Sequence, residues 1–166
     1  MEYGMAFAIG GAALAAFLAG AGSSIGLGIA GRAAAGVLSE KPERYGSLTL
    51  MVVLPSTQGV YGFIIALMVM VKLEMFGDGL PQALTIQQGL AIMAACLPVG
   101  VAGLFSAIHQ GKTSAGGILM AAKKPEMAVK AGVLYSAMVE LYAILGFLIS
   151  LLVILKGINL TADFAA

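Results

Sequence analysis

Residues Ala131–Leu155 read AGVLYSAMVELYAILGFLISLLVIL and are bounded by Lys130 and Lys156. At about 1.5 Å per residue, a helix of this stretch crosses the roughly 30 Å of hydrocarbon in a bilayer. Its one carboxylic acid, Glu140, lies near the middle. An Asp, Lys or Arg at that depth costs on the order of 2.5–3.5 kcal/mol even on lenient insertion scales, and a glutamate there is not expected to be free. An acid in that place is either a working group or a polar residue joining helices, and the rest of the chain has to decide between them.

The rest of the chain has the same apolar character. Of its 166 residues 60% are apolar and 10% charged, with mean hydropathy +1.00. Soluble domains carry about 25% charged residues, so this is an integral membrane protein. Apolar segments leave no room for a separate soluble domain, which gives one membrane domain over residues 1–166. A net charge of +1 gives no electrostatic reason for a nucleic-acid partner. The single cysteine, Cys96, cannot form an internal disulfide. The start, MEYGMAF, has Glu2 and no basic residue. It lacks the charged n-region of a signal peptide and reads as the beginning of the first span.

Three polar joints divide the apolar runs: SEKPERYG (Ser39–Gly46), KLEMFGDGLPQ (Lys72–Gln82) and KKPE (Lys123–Glu126). They predict an all-α membrane protein of four transmembrane helices, near 5–38, 46–73, 84–122 and 127–156. Pro42, Gly77, Gly79, Pro81 and Pro125 punctuate the joints. The first and third spans exceed the roughly 20 residues a crossing needs, which predicts tilt or projection past the membrane. Arg32, Lys41 and Arg44 lie at or near the first joint and Lys123, Lys124 and Lys130 at the third, whereas Lys72 at the second is accompanied by Glu74 and Asp78. Positive-inside bias puts the first and third joints in the cytoplasm and both termini on the other side.

The chain also repeats itself. KPE at Lys41–Glu43 recurs at Lys124–Glu126, and YGFII at Tyr61–Ile65 is echoed by LGFLI at Leu145–Ile149, offsets of 83 and 84. The halves are hairpins, 5–73 and 84–156, each with its basic joint on the same side. Such parallel repeats differ from the inverted repeats of many secondary transporters, which counts against an alternating-access carrier. The midplane acid counts against an inert scaffold. Under the 84-residue offset Glu140 aligns with Ser56, so only one half carries an intramembrane acid.

Other polar groups reach the depth of Glu140. In VVLPSTQGVYGF, Leu54, Thr57, Gln58 and Tyr61 fall on one helical stripe. Pro55 lacks an N–H and loosens the backbone there. Gln58, Gln110 and Glu140 each lie roughly 12–15 residues from a cytoplasmic joint, hence at one depth at about 1.5 Å per residue. Two amide oxygens, a hydroxyl, a backbone carbonyl and one carboxylate make an all-oxygen cage suited to a hard cation. One carboxylate balances one charge, which favours Na⁺ or H⁺ over a divalent ion. A proton needs only the acid and a hydrogen-bond partner, so the additional oxygens suggest Na⁺. Thr57 can equally be a hydrogen bond between packed helices, and Tyr61 can orient the carboxylate or simply pack.

Other signals carry less. GLGIAG (Gly26–Gly31) matches a dinucleotide-binding pattern but lies inside an apolar helix, with no strand before it. Its glycines belong to small-residue stripes for close helix packing: Gly22, Gly26 and Ala30, or Gly20, Ser24 and Gly28, with Ala107, Gly111 and Ala115 in the third span. The first and third spans are thereby expected to form a crowded inner layer. His109 has no partner at metal-ligand spacing. Lys112 is deep enough to snorkel or face a lumen. The ten methionines read as packing. No nucleophile–base pair is present, so catalysis within the chain is not expected, and no organic cofactor is called for.

Taken together, LPSTQGVYGF, HQGK and VELYAILGF, with both KPE joints, resemble the rotor-ring proteolipids of V-type ATPases over nearly the whole chain. The resemblance is to their sodium-translocating bacterial type, the proteolipid designated K or c. It implies a lipid-embedded homo-oligomeric ring in a bacterial cell membrane, with the first and third helices inside. The ring turns against a stator membrane subunit that offers an arginine, and its cytoplasmic joints meet a central-stalk subunit. It also implies that Na⁺ is held by the main-chain carbonyl of Leu54 and by Thr57, Gln58, Gln110 and Glu140, with Tyr61 hydrogen-bonded to the carboxylate. Ser56 and Leu141 depart from the pattern without removing a ligand. A ring specific for H⁺ remains the alternative.

Overall fold

The computed structural model of the chain describes residues 2–77, 83–158 and 160. Part of the middle joint, including the predicted punctuation at Gly79 and Pro81, lies outside these residues. The helices are α1 (Glu2–Leu38), α2 (Tyr45–Val53), α3 (Thr57–Lys72), α4 (Ile86–Lys123) and α5 (Leu134–Leu152). The second span, Pro42–Lys72, joins α2 to α3 through a single 3₁₀ turn at Leu54–Ser56. Pro55 explains that turn: it has no N–H for the α-helical ladder, and the Thr57 N–H closes a tighter bond onto the Leu54 carbonyl. The fourth span, Ala128–Gly157, begins and ends in π-helical turns, Ala128–Val133 and Val153–Gly157. The third starts at a capping box in which Thr85 and Gln88 satisfy each other's backbone N–H groups.

The contacts fix the directions. Gly11 packs on Met93, Gly22 on Leu104 and Gly26 on Ala107, so α1 and α4 run parallel. Gly59 meets Ser23 and Gly62 meets Ala15, so α3 runs back along α1. Gly117 meets Gly132 and Gly146 meets Pro98, so α5 runs back along α4. The result is two hairpins lying side by side in the same sense. The most extensive contact is α1 against α4; α3 covers α1, α5 covers α4, and α3 and α5 touch over less area. The fourth span is the most apolar (mean hydropathy 2.5) and the least covered (22% buried), as a lipid-facing element should be.

Of the two small-residue stripes the sequence offers, the fold uses Gly22 and Gly26 for this seam, while Gly20 and Gly28 face open space. A Cβ at Gly26 overlaps the Ala107 carbonyl and reaches Pro55. Gly26→Ala is therefore expected to lower stability by about 1–3 kcal/mol, the range for overpacking. Gly46→Ala, which meets nothing, stays near wild type. Thermal unfolding of the detergent-purified protein checks both.

Two apolar cores form. One gathers Ala8, Ala12, Ala15, Ile65, Val69, Ile92, Val99 and Ile154 toward the second joint. The other gathers Ala30, Leu48, Met51, Ile118 and Ala128 toward the first and third. Lysines tie the hairpins together at both ends: Lys41 donates to the Ala122 carbonyl (2.6 Å) at the end of α4. Lys72 donates to the carbonyls of Ile154 and Ile158 at the end of the fourth span. Both place a cation at a helix C-terminus, where the orphan carbonyls attract it. Between the two cores lies a polar belt, formed by Ser23, Gln58, Ser106, Gln110, Ser114 and Ser136, all of them buried.

Candidate ion-binding site

Of the six residues singled out from sequence, two belong to this belt and the other four adjoin it. Gln58 and Gln110 are wholly buried, while Glu140, Tyr61, Thr57 and Leu54 are partly exposed at the edge of the protomer. Tyr61 donates its hydroxyl to Glu140 Oε1 at 2.7 Å, and its ring is held 5.3 Å from that of Phe147. The one side chain thus meets the carboxylate and packs at once. Gln110 Nε2 donates to Glu140 Oε2 (3.3 Å) and to the Ser136 carbonyl (3.1 Å). A carbonyl can only accept, so the atom facing Ser136 must be the amide nitrogen. Gln110 Oε1 then accepts from Gln58 Nε2 at 2.7 Å. In this arrangement Gln110 offers the carboxylate a donor, and its oxygen is engaged by Gln58.

On the other side of Gln58 three oxygens crowd together. Thr57 Oγ1 lies 3.1 Å from the Leu54 carbonyl oxygen and 3.3 Å from Gln58 Oε1. One hydroxyl proton serves one of these acceptors at a time. The 3₁₀ turn at Pro55 brings Leu54 into this position, and Gly59 N–H, three residues after the turn, is taken up by Ser23 Oγ of α1 at 2.8 Å. The Leu54 carbonyl also takes the Thr57 N–H, and each of the three oxygens keeps a lone pair, the kind of donor that hard cations take.

Sequence reasoning missed Ser106, which accepts from Gln58 Nε2 (3.3 Å) and donates to the Val139 carbonyl (2.9 Å). It also missed the pair Ser114 and Ser136, whose hydroxyls lie 2.6 Å apart beneath Gln110. The only signal was that Ser106 stands four residues before Gln110, on the same helical face. His109 and Lys112 are exposed, and neither shares a hydrogen bond with the cluster among the described residues. Ser56 bonds the Val53 carbonyl (2.7 Å) and Leu141 is 56% exposed, so neither departure enters the site. Among the described residues no three His, Cys, Asp or Glu side chains gather as a transition-metal site would require.

Four apolar spans in two parallel hairpins, closed around a buried polar belt, define a multi-pass membrane proteolipid made by duplication. The model of the ATP synthase C-subunit family matches the chain twice, at residues 10–69 and 93–153, the second match starting and ending 83 or 84 residues after the first. The chain is 45% identical over 154 residues to the V-type sodium ATPase subunit K of Enterococcus hirae, covering 93% of this chain and 94% of that one. It is 38% identical over 144 residues to the A-type ATP synthase subunit K of Methanocaldococcus jannaschii, covering 87% of this chain and 60% of that longer one. The chain belongs to the ATP synthase C-subunit family, as a two-copy member. It is an ion-transporting, non-catalytic rotor-ring subunit of a V-type ATPase, in a family whose members assemble as homo-oligomeric rings.

Proposed function

We propose that each protomer carries one Na⁺ at the polar belt, held by Glu140, Gln58, Gln110, Thr57 and the Leu54 carbonyl, with Tyr61 orienting the carboxylate. The observation that carries this reading is the cluster of three oxygens in which the Leu54 carbonyl and Gln58 Oε1 lie 3.1 and 3.3 Å from Thr57 Oγ1, each with a lone pair to spare. A site built for H⁺ alone has no use for them. The name of the Enterococcus relative supports the same ion. When loaded, the site is neutral and tolerates the apolar surroundings of a turning ring. Emptied, the Glu140 carboxylate needs a compensating cation, which a stator arginine supplies. Its place at the open edge of the protomer suits such an encounter.

The basic residues of the first and third joints put those joints in the cytoplasm, against the central stalk, and both termini on the far side of a bacterial cell membrane. Residues 1–166 act as one membrane domain of two hairpins. With one acid per four spans, each protomer moves one ion per turn, a gearing suited to pumping against a steep gradient.

A ring selective for H⁺ is the second reading. It is favoured by the Gln110 amide, whose nitrogen faces Glu140 and whose oxygen is already bonded; to coordinate an ion with that oxygen, the amide has to turn. Carbodiimide labelling separates the two readings, since the reagent attacks a protonated carboxyl in an apolar setting. Slower labelling of Glu140 as Na⁺ rises, with K⁺ inert at matched ionic strength, is the expected result. Labelling indifferent to Na⁺ would leave the H⁺ ring.

A further inference from the structure

Ser106 is 6% exposed, and the ligand set just proposed gives it no part. Its hydroxyl has one proton, and the Val139 carbonyl at 2.9 Å takes it. Toward Gln58 it therefore presents only a lone pair, 3.3 Å from Nε2. That contact favours one direction of the Gln58 amide, nitrogen to Ser106 and oxygen to the Leu54–Thr57 cluster.

The Gln58 nitrogen has a second acceptor, Gln110 Oε1 at 2.7 Å. If Gln110 turns that oxygen to a cation, as the sodium reading requires, Ser106 Oγ is the acceptor that remains. The hydrogen bond to Ser106 thus matters more in the loaded site than in the empty one.

We infer that Ser106 is a positioning residue for sodium: it keeps the Gln58 carbonyl oxygen turned into the cage while Gln110 is committed to the ion. It acts through Gln58 and touches no ion itself. This rests on the sodium reading. It sets Ser106 apart from Tyr61, whose hydrogen bond serves the carboxylate whatever cation it binds.

The test uses the full-length, detergent-purified protein and carbodiimide labelling of Glu140. In Ser106→Ala the Na⁺ concentration giving half-protection is expected to rise about three- to tenfold, the worth of one net hydrogen bond. Labelling against pH without Na⁺ is expected to stay at wild type, because the Glu140–Tyr61 pair is untouched. Ser106→Thr keeps the hydroxyl, and the apolar groove of about 340 Å³ that Ser106 lines beside Phe105 and Tyr142 can take its methyl. It is expected to restore the wild-type midpoint. An unmoved Na⁺ midpoint in Ser106→Ala overturns the inference. So does a pH profile that shifts together with the Na⁺ midpoint, since that marks a general disturbance of the carboxylate. Absence of Na⁺ protection in the wild type is a different result: it removes the sodium reading, and this inference with it.

Discussion

Replacing Glu140 by glutamine is expected to leave an inserted, folded protein whose affinity for Na⁺ has fallen more than about 100-fold. The substitution is nearly isosteric. The side-chain oxygen can still accept from Tyr61, whose hydroxyl lies 2.7 Å from Glu140 Oε1 in the wild type. Insertion into the bilayer becomes easier, because no charge has to be neutralised. The cation, however, now enters a buried site without its counter-charge. Removing one partner of a buried ion pair costs about 3–5 kcal/mol, and about 3 kcal/mol is already more than 100-fold in binding. Glu140→Asp separates charge from reach. It keeps the carboxylate but shortens it by one methylene, drawing it away from Tyr61, and about a tenfold loss is expected. Radiotracer Na⁺ binding to the purified protein gives both values, and carbodiimide labelling should vanish in the glutamine variant alone. Sodium binding in Glu140→Gln within tenfold of wild type would remove the carboxylate from the site.

Most of what makes this expectation specific was legible in the sequence, because polar residues in apolar helices stand out against their neighbours. Thr57, Gln58 and Tyr61 share a helical stripe, and Gln110 and Glu140 sit at the same distance from the basic joints. The spans followed from the same contrast: the predicted 5–38 and 84–122 became Glu2–Leu38 and Ile86–Lys123. The break at Leu54–Ser56 could be anticipated from Pro55.

What stayed hidden depends on tertiary partners. The π-helical turn at Ala128–Val133 carries no residue signature of its own; it lies where Gly132 comes against Gly117 and Met51. The stripes of Gly22 and Gly26 and of Gly20 and Gly28 have the same period, and only the approach of Ala107 and Leu104 chooses between them. Ser106 was illegible for a related reason. Serine is an ordinary residue at packed membrane helices, and its role depends on Gln58 and Val139, which lie in other helices.

The two glutamines give a second large effect, and it falls on selectivity more than on fold. In Gln58→Met the Gln110 Oε1 loses its donor while remaining wholly buried. An orphaned buried acceptor costs about 1–3 kcal/mol, so this single variant is expected to melt earlier than wild type. The double variant Gln58→Met, Gln110→Met removes both halves of the bond and fills the space with side chains of similar length. Replacing both partners by apolar groups is close to neutral, and the Ser136 carbonyl keeps its helical partner within α5. The double variant is therefore expected to be more stable than Gln58→Met, a non-additivity that thermal unfolding reads directly. Its site has lost two amide oxygens, each worth about 1.5–3 kcal/mol against a charge, so Na⁺ binding should weaken by more than about 100-fold. The hydrogen bond from Tyr61 to Glu140 involves neither glutamine. Proton uptake and carbodiimide labelling of Glu140 are thus expected to persist, now indifferent to Na⁺. On the sodium reading, the double variant would convert a sodium carrier into a proton carrier on an unchanged scaffold. Sodium protection that survives in it within tenfold would show that the glutamines only join helices, and that the cation is held by the carboxylate with the Leu54 and Thr57 oxygens alone.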